Sequence, residues 1–598
     1  MIPADTQSST ESALVQGSGP KILAYLSMFI SVVAVWLLTR QPEGWFPTGN
    51  VFRNYYPNDQ LSYAGFAANA RSGDLSLAEP FTGTGVSFYP SWWYRFQGLV
   101  GNVLGLDLGS TWNLFGTAVV LLTVLWIGFV SWKTTRLWWS PLAIGLLMGI
   151  GPLAAAIDGS WASPLGPQAI LWGPYGAFYT LNGEVIGLCL GASAIALTVF
   201  SLGRVQVSRS KRVIMLVASA LVIGLLANIH TYAFFLSIAV FVGFWGIYGL
   251  RRASTRTPLW WSLGILIFGI VSGSFLRGFV GELPVFTLLL GAAVPGFLVL
   301  ARKHAYVAIL MLVALGIGAA PQVLLTLWGI SSGNEFLSYR VGQSSDLGVG
   351  IFDFLVIGSP ILALFLFNVF ALRHRAPTYL VAALYSWFLG FVLLTFNNVW
   401  GFGQEPYRFW IDGVFLGIAI MAITTPLAIR SLTQAPLNPL ITGFSAALAL
   451  SLFAASLWNI GGFRLEVQNS GVIDLDSAQL TAVQTLSSSI EGEKSLLSSE
   501  PCIDPRLLKI TTLKPVAFYN LGMAWPENRI EIDAVLANAS AGILNVPALK
   551  SAGVTHLFTD SSCPTGWELT GQLGVLNIGE VEYQTSAGNA TVRLWELF

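Results

Sequence analysis

Apolar runs of about 18 to 22 residues, each long enough to cross roughly 30 Å of hydrocarbon as a helix, recur from Ile22 to Trp458. Such runs leave few structural choices, because a backbone in lipid must satisfy its own N–H and C=O groups, and a helix does so within one segment. The chain is 54% apolar and 10% charged, with a mean hydropathy of +0.66. A soluble globular chain carries about 25% charged residues. The reading is a polytopic α-helical membrane protein of about thirteen spans. They are placed at 22–39, 111–131, 141–157, 178–202, 213–228, 232–250, 259–276, 283–300, 306–328, 352–372, 379–396, 411–429 and 440–458.

Charge orients these spans, since short cytoplasmic loops retain Lys and Arg while acids contribute little. Every second loop is basic and free of acids: Lys133 and Arg136; Arg204, Arg209, Lys211 and Arg212; Arg251, Arg252 and Arg256; Arg302 and Lys303; Arg373 and Arg375; Arg430. The alternating loops hold Asp59, Asp74, Glu79, Asp107, Asp158, Glu282, Glu335, Asp346 and Glu405. This predicts a multi-pass protein of the plasma membrane. With an odd number of spans, a cytoplasmic N-terminus implies an extracytoplasmic C-terminus.

Residues 1–20, rich in Ser, Gln and Gly, read as a disordered cytoplasmic tail. The run after Lys21 lacks a multi-cation leader and a small-residue cleavage site before Arg40, so it reads as a retained first helix. The membrane core is placed at 21–458. Beyond it, 459–598 turns polar over about 140 residues, enough for one independent domain. An amphipathic helix at 476–490 and short strands at 516–521, 555–559 and 591–597 make this an extracytoplasmic α/β domain. Cys189 lies in an apolar span and reads as packing. In an oxidising compartment Cys502 and Cys563 form one disulfide; otherwise they are two buried thiols. No CxxC pair or His cluster suggests zinc.

The first external loop, 40–110, is about seventy residues long, and loops of that length are usually functional. It contains Asn54-Tyr55-Tyr56-Pro57-Asn58-Asp59-Gln60-Leu61. Asp59 has two readings, a helix cap ahead of Gln60 or a general base shielded by Tyr55 and Tyr56 that takes a proton from an alcohol. Trp92-Trp93-Tyr94 fits interfacial anchoring or sugar stacking. Asp158 and Trp172 flank a Gly- and Pro-rich second external loop, and His230 sits in a tight external turn. Arg408, after Pro406-Tyr407, lies where an anionic headgroup would lie, and Arg340 is a second candidate; both also fit snorkelling to lipid phosphates.

No Walker loop and no HExxH is present, and no cytoplasmic loop is large enough for a nucleotide domain. With zero net charge and its cations on short membrane loops, the chain gives no support to nucleic-acid binding. An external enzyme without nucleotides needs another activated donor, and a polyprenyl-phosphate sugar meets that need. The multi-span core, the acid in a long first loop and the C-terminal domain resemble the GT-C polyprenyl-phosphate-dependent glycosyltransferases. Residues 54–61 and Pro406-Tyr407-Arg408 resemble most the galactan-priming arabinofuranosyltransferases of mycolic-acid bacteria. The resemblance implies inverting transfer of arabinofuranose from decaprenyl-phospho-arabinose to galactan, with Asp59 as base; on charge and position Arg408 is expected at the donor phosphate with Arg340 or His230, the last also reading as a merely hydrogen-bonded surface His. It places Tyr55, Tyr56, Asn58, Gln60, Asp158, Trp172 and Tyr407 around sugar or acceptor. Asp59 stands between Asn58 and Gln60 rather than beside a second acid, which leaves a divalent-metal requirement open. Two other readings stay open: a transporter or flippase for a lipid-linked glycan, and a noncatalytic cell-wall assembly factor.

Overall fold

The computed structural model describes residues 21–39, 50–53, 57–150, 179–203, 207–343, 349–351, 354–355, 358–372, 376–433, 451, 454, 457, 460–461, 472–490 and 495–598. The expected tail at 1–20, Tyr55, Tyr56, Asp158, Trp172 and most of the span expected at 440–458 lie outside them. The chain divides into two compact units, one of residues 1–42, 116–327 and 338–469, the other of residues 43–115, 328–337 and 470–598.

The long helices are α1 (Lys21–Thr39), α2 (Leu108–Thr135), α3 (Gly183–Gly203), α4 (Arg209–Leu225), α5 (Thr231–Leu250), α6 (Thr257–Val280), α7 (Glu282–Gly291), α8 (Val294–Ser331), α9 (Ser359–Leu372), α10 (Thr378–Thr395) and α11 (Pro406–Thr433). Among the described residues, eight helical segments are long and apolar enough to cross a membrane, and α1, α7 and α9 are shorter apolar helices. The spans expected at 283–300 and 306–328 fall on α7, a short apolar helix, and α8, one candidate span that His304 breaks with φ −141° and ψ 43° just after Arg302 and Lys303.

α11 is the centre of the helical unit, its most apolar window wholly buried. Apolar helices in lipid gain little from the hydrophobic effect on one another, so they associate through close packing and inter-helix hydrogen bonds. Gly413 makes room for the Phe391 ring of α10 and Gly417 for the Trp387 ring, whose Nε1 donates to Gly413 O at 2.6 Å. Ser131 of α2 donates to Ala422 O at 3.0 Å, and Ser431 donates to Ala371 O of α9 at 3.0 Å.

A proline in α8 shows how such a bundle tolerates a break. Pro321 lacks an N–H and disrupts the local ladder. Asn228, ending the 3₁₀ turn Leu226–Asn228, inserts its amide there: Nδ2 donates to Gly318 O at 2.8 Å and Oδ1 accepts from Gln322 N at 3.1 Å. Asn228 thereby takes up the Gly318 C=O and the Gln322 N–H on either side of the proline.

The second unit is built on a four-stranded sheet of order β3–β4–β6–β5, formed by β3 (Leu496–Ser499), β4 (Val554–Asp560), β5 (Val575–Thr585) and β6 (Gly588–Leu597). β3 and β4 run parallel; β4–β6 and β5–β6 are antiparallel. Apolar clusters cover it, with Leu497, Phe558, Val592 and Leu594 in one and Leu557, Trp595 and Ile532 in another. A separate ribbon pairs β1 (Val51–Arg53) with β2 (Val472–Asp474). The first loop thus folds with the tail: Val516 N donates to Phe81 O at 2.9 Å, and Val86 bridges Trp525. Cys502 and Cys563 are bonded as a disulfide with Cα atoms 5.6 Å apart, while Cys189 is a buried free thiol.

Candidate functional site

The loop entering α11 is stapled to itself before it reaches the site. Asn397 donates to Gln404 O at 2.9 Å and accepts from Gln404 N at 2.7 Å, while Gly401 and Gly403 take left-handed conformations. A side chain at Gly273 of α6 would collide with Trp400 O, 2.1 Å away, so loop and helix touch backbone to backbone. Gln404 also donates to Glu282, which pairs with Arg277 at 2.5 Å. These contacts deliver Glu405, itself left-handed with φ 26°, into the end of the helical bundle.

Glu405 is 6% exposed and collects three donors. Arg340, from the helix Glu335–Gln343, meets Oε1 at 3.1 Å; Tyr407 reaches Oε2 at 3.2 Å; Arg408 Nε binds the same oxygen. Burial alone would raise this carboxyl, but Arg408 and Arg340 together hold it at about 2. Arg408 NH1 also lies 3.6 Å from Glu184 Oε2 at the start of α3, and its guanidinium is 5.3 Å from the Tyr232 ring centre.

Beyond Arg408 the cluster deepens. Glu184, His230 and Asp412, all buried, present ligand atoms within 4.8 Å of one another. Both Asp412 oxygens are buried and find no hydrogen-bond donor among the described residues. Two carboxylates this close repel unless a proton or a cation lies between them. His230 caps α5, its Nδ1 accepting from Ala233 N at 3.3 Å. Burial, then the charge of Arg408, pushes its pKa down to about 3, so the ring is neutral. With Nδ1 accepting, the ring proton sits on Nε2. The donor set fits a divalent cation through Asp412 and Glu184, and His230 joins it when the proton moves to Nδ1 and the cap is released.

Of the sequence candidates, Arg408, Arg340, Tyr407 and His230 therefore meet in one cluster. His230, expected at a donor phosphate, carries no positive charge there, and both arginines are already paired with carboxylates. Asp59 belongs to the other unit, in the first turn of the helix Pro57–Arg71. It is exposed, so the shielding expected for it is not provided by the described residues, and it follows the helix start rather than capping it. Its neighbours are tied to the tail: Asn58 accepts from Arg506 NH1 at 2.5 Å, and Asn520 donates to Ser62 at 2.8 Å. Gln60 is buried. Glu184 and Asp412 escaped the sequence reading, although an acid inside an apolar run is the signal that points to them.

No family model and no curated protein sequence matches the chain. Solved structures match its fold. The chain aligns with the arabinofuranosyltransferase AftD from Mycobacteria over 98% of its own length and 40% of that chain, at 14% identity and a TM-score of 0.53. The archaeal oligosaccharyltransferase AglB from Archaeoglobus fulgidus, in complex with an inhibitory peptide and a dolichol-phosphate, gives 90% and 69%, 12% identity and 0.49. ArnT from Cupriavidus metallidurans, bound to undecaprenyl phosphate, gives 96% and 98%, 11% identity and 0.47. The likeness to AftD is one of fold.

Proposed function

We propose that the chain is a membrane glycosyltransferase that moves arabinofuranose from a polyprenyl-phosphate donor, decaprenyl-phospho-arabinose, to galactan on the external face of the plasma membrane. One observation carries the reading: Glu184, His230, Arg340, Glu405, Arg408 and Asp412 gather from separate segments at one end of an otherwise apolar bundle. Ionisable groups at membrane depth are costly and mark function. The fold likeness to AftD supplies the reaction class by analogy.

In this reading residues 1–20 are a cytoplasmic tail, 21–458 the transferase core and 459–598 an external domain. Asp59 is the general base. It takes the proton of an acceptor hydroxyl as that oxygen bonds to the anomeric carbon; the bond from that carbon to the phosphate oxygen breaks, with inversion. Because Asp59 is exposed, water exclusion falls to the bound substrates. Arg408 and Arg340 face the charge growing on the departing phosphate through donors not used on Glu405 and Glu184. His230 offers a neutral Nε2–H. Asn58, Gln60 and Tyr407 line sugar or acceptor. A divalent cation held by Glu184 and Asp412, with His230, would supply further charge neutralisation.

The test uses membranes containing the full chain, labelled decaprenyl-phospho-arabinose and an oligogalactan acceptor. Asp59→Asn should lower transfer by about 10²-fold or more, the usual worth of a positioned base. Undiminished transfer by that variant removes Asp59 from the chemistry. Lipid-linked sugar crossing the bilayer without transfer would favour the flippase reading instead.

A further inference from the structure

The helical unit has a second polar feature at the other end of α5, twenty residues from the cluster just described. There α5 and the first part of α8 touch and then separate. Gly246 and Gly249 meet Gly296 so closely that a Cβ on Gly249 would lie 1.9 Å from Gly296 O, and one on Gly296 would lie 2.0 Å from Gly246 O. Beside this backbone contact Trp245, Tyr248 and Phe297 line a cleft with a cavity of about 70 Å³.

The cleft has apolar walls and a cationic mouth. Arg252, one residue past the α5 C-cap Arg251, lies over the Tyr248 ring at 4.4 Å, and Lys303 and His304 reach the mouth from the break in α8. Arg209 of α4 stands beside them, its Nε donating to Tyr306 OH at 3.0 Å. The three segments that meet here, 207–212, 251–256 and 302–304, contain no Asp or Glu. Along α8 the cleft wall continues through the buried Val307 and Met311, with Leu216 of α4 also lining it.

We propose that this cleft binds the headgroup of an anionic phospholipid, with Arg252 and Lys303 on the phosphodiester and the start of an acyl chain against Phe297, Val307 and Met311. The charge sign selects an anion, and basic pockets between spans on the side where Lys and Arg accumulate are suited to lipid headgroups. The apolar walls select a lipid over a free phosphate, because inorganic phosphate has nothing to place against Phe297 or Tyr248. This site needs no assumption about the reaction at the other end of the bundle.

Native mass spectrometry of the full chain released from nanodiscs of mixed phosphatidylglycerol and phosphatidylcholine tests it. The wild type should retain one phosphatidylglycerol in preference to phosphatidylcholine, and Arg252→Gln with Lys303→Gln should weaken that retention about tenfold or more. Ala308→Phe, which fills the cleft without removing charge, should weaken it too, and guards against misfolding of the charge variant. Equal retention of the two lipids, or full retention by Ala308→Phe, overturns the proposal. Displacement of the lipid by millimolar inorganic phosphate would do the same, assigning the site to phosphate alone.

Discussion

Glu405 and Arg408 are one helical turn apart and bonded to each other, yet each has a second opposite charge from elsewhere, Arg340 for the acid and Glu184 for the base. The chain Arg340–Glu405–Arg408–Glu184 is therefore an alternating row in which removing an inner member strands its neighbours. Glu405→Ala leaves two partly buried guanidinium groups without that partner, and should destabilise the protein by about 3 kcal/mol, the usual scale for breaking a buried pair. Thermal unfolding in nanodiscs reads this. Adding Arg340→Gln to Glu405→Ala should recover part of the loss, since one stranded charge is then gone.

Arg408→Lys keeps the charge but loses the fork that spans Glu405 and Glu184. Transfer should fall about tenfold or more, and the split between kcat and donor KM locates the effect. A change confined to KM would place Arg408 in uniform donor binding, and a fall in kcat would place it at the leaving phosphate.

Asp412 gives a direct test for a cation. Purified wild-type protein titrated with Mn²⁺ should show a bound ion by electron paramagnetic resonance, and Asp412→Asn should weaken its binding at least tenfold. Identical Mn²⁺ binding by the two proteins would mean that the acid pair holds a proton rather than a metal.

The second unit carries its own pH dependence. Glu79 is fully buried, accepts from Phe81 N and Thr82 N, and its pKa is pushed up to about 7 by burial, with those hydrogen bonds and Lys509 opposing. A carboxyl raised in the folded state stabilises it below the unfolded value near 4.5, and that contribution is lost as pH rises through 7. Lys509, pushed down to about 8 by burial, works in the other sense, losing its contribution as pH falls through 8. Hydrogen exchange at residues 79–84 should therefore quicken between pH 5 and 7. Glu79→Gln should flatten that rise; an unchanged profile would show that Glu79 does not govern it.

Much of the helical unit was legible because a span is a local property: twenty apolar residues declare themselves wherever they occur. Arg302 and Lys303 marked a boundary in the same way, and the break in α8 falls beside them at His304. The site was legible only in pieces. Arg408, Arg340 and Tyr407 stood out at span ends, but their convergence on Glu405 depends on a stapled loop and a left-handed residue, which no hydropathy pattern encodes. Glu184 and Asp412 were hidden by their surroundings, each a single acid counted within an apolar run. Asn228 likewise looks like a turn residue until Pro321, ninety-three positions away, supplies the backbone groups it satisfies.

The Cys502–Cys563 bridge closes a segment of 61 residues within the tail. By loop entropy such a crosslink is worth about 4 kcal/mol, and it does not persist in a reducing cytosol. In the proposed topology, with the tail outside, full maturation of this unit is tied to an event in biogenesis, the passage of its last segment to an oxidising side. A chain whose tail stays behind keeps two thiols, so the covalent state of this pair separates a delivered molecule from a stranded one by chemistry alone.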